Sequence, residues 1–337
     1  MDEMIIIVFM LCSLILYVVL GGADFGAGMW DLLARGRRAE KQRKAIAAAI
    51  SPVWEANHVW LILLIVLLFT AFPPAFAVLM TALHIPCTLM LVGIVLRGSA
   101  FIFRNYDSQG KEVRHRWGAV FGAACFFTPF LQGMVLAALS TGEIRYAGGR
   151  VTSGFLAGWL TPFAFACGSL ALVLCAYLAA IYLALYTRKD PDLQNDFRRR
   201  ALGAGLVLAP AALVVLLTAK EGAPDLFHAW NHGWELPLLG GAGACAVAAW
   251  LALWWRRLVL ARAAAVLQAA LTVSSWGMAQ HPHLITPDVT FHASAAPEAT
   301  LRLLSIALGI GAVLLLPALV FLFRLFSNPE PGKDNAP

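Results

Sequence analysis

The feature that most constrains the fold is a series of nine apolar blocks. A helix of about 20 residues spans the roughly 30 Å hydrocarbon core of a bilayer. Only helices and closed barrels satisfy their backbone hydrogen bonds in lipid, and long uninterrupted apolar runs favour helices. The sequence therefore predicts an all-α, polytopic integral membrane protein. The nine predicted spans cover residues 4–24, 50–72, 75–103, 117–139, 155–187, 201–219, 236–255, 258–280 and 300–325.

The composition excludes a soluble fold. Of the 337 residues, 60% are hydrophobic and 13% are charged, and the mean hydropathy is +0.75. We predict a single transmembrane domain over 1–337, with helical halves at about 1–140 and 153–326 and a short polar cytoplasmic tail at 327–337. The chain begins MDEM, which lacks the basic start of a secretory signal, so the first block is predicted to be a retained helix.

The distribution of basic residues predicts the orientation. Of the 25 Lys and Arg residues, 19 follow odd-numbered spans and only 4 lie on the other side. Because Lys and Arg accumulate in cytoplasmic loops, the N-terminus is expected outside and the C-terminus in the cytoplasm. The net charge of +6 is therefore expected to face anionic membrane lipid, and no nucleic-acid partner is predicted.

Three ionisable residues lie inside the predicted spans at similar depths. Asp24 and Glu55 are each eleven residues from the nearest loop cation, about 16 Å along a helix axis. Arg97 lies seven residues before Arg104, or about 10 Å. A charge inside a membrane is costly, so an ionisable residue there is a functional hypothesis by default. The spacing predicts one polar layer in the cytoplasmic half of the bundle.

Other polar residues surround this layer on the second span. Ser51, Glu55 and His58 follow the offsets i, i+4 and i+7 and so share one stripe of the helix, and Trp54 and Asn57 form a neighbouring stripe. On the first span, Gly22 and Gly26 form a GxxxG step that lets another helix approach closely.

Two interpretations of the layer remain open from the residues alone. One is a proton-conducting seam that opens to the cytoplasm. The other is a buried Asp–Arg or Glu–Arg pair that locks three helices together. Two acids against one base leave one carboxyl without a partner, and such a buried carboxyl tends to titrate, which favours the first interpretation.

Other candidates for metal or cofactor binding are weaker. His84, next to the helix-kinking Pro86 near the expected middle of a span, is a weak candidate haem ligand or a packing residue. The histidines of the outer loops could form a metal site or line an interface; they are His228, His232, His281 and His283. The six cysteines show no paired spacing and are expected to be buried, so no metal site is predicted.

Two stretches, GGADFGAGMWDLL (21–33) and SPVWEANHVWLI (51–62), resemble the N-terminal signatures of subunit II of cytochrome bd-type quinol oxidases. Glu55 and His58 within the second are typical of the cyanide-insensitive branch. The family often has a further acid where Gly21 and Gly22 stand here. Weaker similarity occurs in VLRGSAF (95–101), LTPFAFACG (160–168) and HPHLITPDVTFHASAAPEATL (281–301), so the resemblance covers nearly the whole chain.

The resemblance implies a heterodimer in which subunit I holds haems b and d and reduces O2 to water with electrons from ubiquinol or menaquinol. Subunit II of the family has no haem, so no cofactor is expected in this chain. Some members hold a structural quinone in subunit II, and small single-helix subunits are further partners that the resemblance allows. The family's buried acids are associated with proton delivery, and its motifs match Trp54, Glu55, Asp24, Asn57 and Arg97.

We therefore predict a haem-free oxidase subunit of the bacterial cytoplasmic (inner) membrane, surrounded by lipid and active in aerobic respiratory electron transport. Its predicted proton pathway comprises Glu55, Trp54, Asp24, Asn57, His58 and Ser51, with Arg97 as the charge partner. A proton-coupled secondary transporter and a purely structural membrane scaffold are the alternatives.

Overall fold

The computed structural model describes residues 2–51, 54–106, 111–233 and 235–327, which form a bundle of helices. Within these ranges nine spans are long and apolar enough to cross a membrane, which confirms the predicted fold class. The predicted tail lies outside the described residues beyond Ser327. In chain order the helices are α1 (Asp2–Leu16), α2 (Gly22–Leu32), α3 (Ala39–Ile50), α4 (Trp54–Ala71), α5 (Pro73–Ala82), α6 (His84–Tyr106), α7 (Lys111–Ala138), α8 (Pro162–Tyr186), α9 (Pro191–Gly222), α10 (Pro224–His232), α11 (Glu235–Trp254), α12 (Leu258–Gln280), α13 (Phe291–Ser294) and α14 (Glu298–Ser327).

Several spans begin at other residues than the sequence predicted. The third span begins at His84, because residues 73–82 form the separate short helix α5. The fifth begins at Pro162, with Thr161 as its N-cap. The sixth, predicted for 201–219, extends over Pro191–Gly222, and Pro210 lies inside the helix without ending it. The basic stretch before residue 201 is therefore helical and belongs to a span.

The connections fall alternately at two ends of the bundle. Most of the Lys and Arg residues lie at one end of the bundle, where four helices finish: α2, α6, α8 and α11. We call this end the basic end. There, Asp31 of α2 contacts Arg104 of α6. At the opposite end, Ser140 after α7 donates a hydrogen bond to Gln280 at the end of α12. Spans 1 and 3 therefore run in the same direction.

The long connections at the opposite end contain regular structure where the sequence predicted loops. Helix α10 lies between spans 6 and 7, and the hairpin of β3 (His283–Ile285) and β4 (Val289–Thr290) lies before α13. A second hairpin, earlier in the chain, pairs β1 (Tyr146–Ala147) with β2 (Arg150–Val151). Gly148 and Gly149 join the two strands, and their positive φ angles of 58° and 78° suit a tight two-residue turn. These elements close the opposite end of the bundle.

Polar contacts hold this end together. The side chain of Gln280 accepts a hydrogen bond of 2.7 Å from the Ser140 hydroxyl. Asp288 accepts two from the Arg145 guanidinium, at 2.8 and 3.1 Å, and one from the backbone N–H of Tyr146 at 2.8 Å. The Arg145 guanidinium and the Tyr146 N–H hold the pKa of Asp288 below its usual range.

The core is centred on α8, where residues 178–181 are at most 1% exposed. By contrast, α14 leaves Leu303 69% and Val313 72% exposed. Cys12 is also exposed, which corrects the expectation that all six cysteines are buried; the other five are buried or partly buried. A thiol is apolar enough to face lipid, so its presence in a span does not determine which way it points.

Candidate functional site

The site is built around α2, which approaches its neighbours closely through glycine. A Cβ added at Gly22 would lie 3.3 Å from the sulfur of Cys175 on α8, and one added at Gly26 would overlap the carbonyl of the same residue. The close approach predicted from the GxxxG step is therefore present. A π-helical turn, Tyr17–Gly21, immediately precedes this segment, and such turns are frequent at functional sites.

Replacing Gly26 with alanine is expected to destabilise the protein by about 1–3 kcal/mol, because the methyl group would force the backbones of α2 and α8 apart. The measurement is the midpoint of thermal unfolding in detergent. Gly203→Ala in α9 is the matched control, since no atom lies within 4 Å of its added Cβ and alanine favours helix. Equal midpoints for the two variants would contradict the tight contact.

Asp24 lies inside the bundle, only 5% exposed. Its Oδ2 accepts a hydrogen bond of 2.7 Å from the side-chain amide of Asn57. The same oxygen lies 3.9 Å from Nη2 of Arg97, which is 2% exposed. The structure thus brings together an acid, an amide and a base from spans 1, 2 and 3, including the pair expected from their depths.

His58 completes this cluster. Its Nε2 lies 2.7 Å from Nη1 of Arg97, and because arginine only donates, Nε2 accepts and the proton of a neutral ring is on Nδ1. The guanidinium lies 4.8 Å from the centre of the Phe25 ring, and the His58 ring meets the same ring edge-on at 5.7 Å. We call Asp24, Asn57, His58 and Arg97 the inner cluster.

A second acid–base pair follows the inner cluster two helical turns nearer to the basic end. Asp31, 3% exposed, accepts hydrogen bonds of 2.5 and 3.0 Å from Arg104. Asp31 follows Asp24 by seven residues and Arg104 follows Arg97 by seven, on two helices that run in the same direction. Our sequence reasoning missed Asp31, although this equal spacing was the available signal.

The basic loops are also partly paired. Asp196 accepts hydrogen bonds from Arg38 at 2.6 and 2.8 Å and from Gln42 at 2.9 Å, while Arg200 donates to Gln42 at 2.7 Å. These contacts fasten α3, which lies between the first two spans, to α9. Much of the charge at this end therefore stabilises the connection between spans 1 and 2.

Glu55 lies outside the inner cluster. It is exposed, as is Ser51, so the stripe predicted to join them with His58 does not converge on one buried site. Trp54 is half-buried and packs on α6, with its ring 5.9 Å from that of Phe101. The buried layer thus holds one acid against one base, which corrects the expectation of two acids.

Apolar side chains continue the exposed stripe of Glu55 along α4. Val59 is 43% exposed, Ile62 59%, Val66 46% and Phe69 56%. Their offsets of four, three, four and three residues place them on one face of the helix. We call Glu55 and these four residues the Glu55 face.

Among the side chains that the structure describes, the histidine candidates do not form a metal site. His84 is exposed at the start of α6, whose 23 residues span about 35 Å, so it lies near the opposite end and not in the middle of a span as predicted. Its Nδ1 lies 3.0 Å from the Thr81 carbonyl. Among the residues that the structure describes, no group of three His, Cys, Asp or Glu side chains could hold a metal ion.

Comparison with known proteins gives a family. The sequence profile described as "Cytochrome bd terminal oxidase subunit II" matches residues 2–326. The chain belongs to this family. The match confirms the resemblance seen in the motifs of the first two spans. Family membership also agrees with the nine apolar spans among the described residues, and with a location in the bacterial inner membrane as part of an oxidase complex.

The similar proteins are distant, and their matches cover from about half to nearly all of this chain. The "Putative cytochrome bd menaquinol oxidase subunit II" of Bacillus subtilis (strain 168) is 25% identical over 326 residues, 94% of this chain and 92% of the relative. The "Cytochrome bd-I ubiquinol oxidase subunit 2" of Escherichia coli (strain K12) is 29% identical over 202 residues, 58% of this chain and 51% of the relative. A chain in the structure of bd oxidase from Geobacillus thermodenitrificans has the same fold, with a TM-score of 0.82 at 23% identity over 96% of this chain and 98% of that one.

Proposed function

We propose that this chain is the haem-free subunit II of a bd-type oxidase that transfers electrons from quinol to O2. Its partner, subunit I, would hold haems b and d and carry out the reduction of oxygen to water. The observation that supports this most strongly is the family match over residues 2–326. Relatives from two bacteria are described as menaquinol and ubiquinol oxidase subunits, so the choice of quinol is left to experiment.

The histidines within the described spans support the placement of the haems in subunit I. Nε2 of His58 already contacts Arg97 at 2.7 Å, and displacing it would leave the buried guanidinium without this acceptor. His84 is exposed at the start of α6, on the surface of this chain. Neither residue is arranged to approach a haem enclosed by this chain.

The Glu55 face is the proposed contact with subunit I. An acid at the end of an apolar stripe is unfavourable against lipid chains, whereas a partner with polar groups would satisfy it. Glu55 lies two residues into the described part of α4, at its basic end. If that end faces the cytoplasm, as the charge bias predicts, Glu55 can take up protons there and pass them along the subunit boundary.

The inner cluster has a supporting role in this proposal. Asp24 and Arg97 fix α2 and α6 relative to each other, while Asn57 and His58 attach α4, the helix that presents Glu55. Trp54 packs on α6 beside Glu55, and Ser51 is exposed at the end of α3. These residues shape the proposed access route, and Asp24 with Arg97 sets the field around it.

Co-purification tests the assignment as an oxidase subunit. Affinity-tagged chain, extracted from its native membrane in mild detergent, is expected to bring a haem-bearing chain with it. The visible spectrum should show b-type and d-type haem, and the complex should consume O2 when a quinol is added. A tagged chain that purifies without any haem protein would overturn the assignment and favour the transporter alternative.

The side of proton uptake tests the proposed route independently. The complex is reconstituted in liposomes with a pH-sensitive dye inside, and protease treatment of the tail or loops reports which end faces outward. Turnover is expected to consume protons at the basic end. Consumption only at the opposite end would contradict a route through Glu55 while leaving the oxidase assignment intact.

A further inference from the structure

The turn between α11 and α12 presents arginine and tryptophan side chains at the basic end. Trp254 is 58% and Trp255 63% exposed, and Arg256 and Arg257 are also exposed. On α9, Arg198 binds the end of α11, and the residue that follows it, Arg199, is exposed as well. We call Arg199, Trp254, Trp255, Arg256 and Arg257 the Arg256 patch.

The backbone at Arg256 is unusual for a residue with a side chain. Its φ of 60° is left-handed, and it is the only non-glycine residue in the described ranges with a positive φ. The N–H of Arg257 bonds to the carbonyl of Ala252 at 2.8 Å and that of Arg256 to the carbonyl of Leu253 at 3.2 Å, which is the Schellman ending of a helix. Glycine suits this position without steric cost, so an arginine there points to a use for its charge.

Within the described part of the chain, the positive charges of the patch have no carboxylate partner. Arg198 donates to the carbonyls of Leu253 and Trp254 at 2.6 and 2.8 Å, and it interacts electrostatically with Arg199 and Arg256. Among the residues that the structure describes, no carboxylate forms an ion pair with Arg199, Arg256 or Arg257. The sequence contains no Asp or Glu between residues 236 and 280, which cover all of α12 and all of α11 except its first residue, Glu235, at the opposite end.

The aromatic part of the patch is held in place. Trp254 stacks on Trp250 with ring centres 5.6 Å apart and an interplanar angle of 18°. The indole N–H of Trp250 donates to the carbonyl of Leu202 on α9 at 3.3 Å. Exposed tryptophans at the end of a membrane span lie at the level of the lipid headgroups. Just beyond the turn, Val259 and Leu260 are 63% and 51% exposed and continue the surface toward the acyl chains.

We propose that the Arg256 patch binds the phosphate of an anionic phospholipid from the leaflet at the basic end. The guanidinium groups of Arg256, Arg257 and Arg199 would contact the phosphate oxygens, which suit the planar fork of arginine. The adjoining Val259 and Leu260 favour a lipid over free phosphate, because they would contact its acyl chain. The site is separate from the Glu55 face, and its occupancy does not depend on oxidase activity.

Native mass spectrometry of the intact complex tests the site. The complex is delipidated and titrated with cardiolipin, with phosphatidylcholine as the uncharged comparison. Each arginine near an anionic headgroup is expected to contribute about fivefold to affinity, so Arg256→Gln with Arg257→Gln should weaken cardiolipin binding about 25-fold. The matched control is Arg188→Gln with Lys189→Gln, which removes the same charge from two exposed residues at the same end. It should change the affinity for cardiolipin less than twofold.

A second variant separates loss of binding from loss of folding. Arg256→Gly should keep or raise thermal stability, because glycine prefers the left-handed turn, while weakening cardiolipin binding about fivefold. Equal weakening in the control pair would overturn the proposal, since it would indicate diffuse attraction and no site. The proposal would also be overturned if millimolar inorganic phosphate displaced cardiolipin. The same holds if the arginine substitutions released a protein subunit from the complex instead of lipid.

Discussion

Replacing Arg97 with methionine is expected to prevent most of the complex from assembling. The change leaves the Asp24 carboxylate inside the bundle with only the Asn57 amide, and it removes the partner of His58. Breaking a buried ion pair by removing one member costs about 3–5 kcal/mol, a large part of the roughly 5–15 kcal/mol that stabilises a typical domain. The measurement is the amount of complex recovered from membranes and its thermal unfolding midpoint.

A second change should reverse much of this loss. When Asp24→Asn is combined with Arg97→Met, no buried charge is left without a partner, and replacing both members of a buried pair is often neutral or stabilising. The double variant is therefore expected to assemble better than Arg97→Met alone. Arg262→Met is the control, because Arg262 lies within a span but is exposed. Normal assembly of Arg97→Met would mean that the inner cluster does not hold the three spans together.

The bundle and part of the inner cluster could be predicted from the sequence because membrane helices have a length requirement and buried charge is costly. Asp24 and Arg97 were found by depth alone, and they are in contact at 3.9 Å. Asp31 was missed because it lies beside the first basic loop, where a charge looks like the end of a span. Asp31 follows Asp24 by seven residues and Arg104 follows Arg97 by seven. The two intervals bring Asp31 to Arg104 only because α2 and α6 run in the same direction.

The outward position of Glu55 could not be predicted from α4 itself. The helix is apolar on all sides except for a few residues in its first turns, so its sequence has no periodicity that separates an inner face from a lipid face or a partner face. The position of Asn57 and His58 is decided by Asp24 and Arg97 on other helices. Which residues of α4 turn inward is therefore a tertiary property.

The predicted start of the third span was wrong for a different reason. An uninterrupted apolar run from 75 to 103 would extend about 44 Å as one helix, which exceeds a hydrocarbon core of roughly 30 Å. The excess length was itself the signal for a break. The break falls at Leu83, and it moves His84 from the middle of a helix to its start.

Glu55→Gln is expected to lower oxygen consumption per haem at least about tenfold, since positioned proton transfer typically contributes about 10²–10⁴ in rate. Glutamine has nearly the same shape but cannot take up or release a proton at neutral pH. Because Glu55 lies outside the inner cluster and glutamine keeps a polar side chain at the proposed contact with subunit I, assembly and the haem spectrum should not change. The measurement is quinol-driven oxygen uptake at saturating substrate, with the haem content of each preparation as the reference.

Two further variants decide what the result means. Glu40→Gln neutralises another exposed acid at the basic end, one that forms an ion pair with Lys44, and should leave the rate unchanged. Glu55→Asp keeps a carboxyl group and should retain most of the rate. A normal rate in Glu55→Gln would rule out the proton route. A loss of assembled complex at an unchanged rate per haem would instead make Glu55 a structural contact with subunit I, because a carboxylate that only holds an interface affects how much complex forms and not how fast each complex turns over.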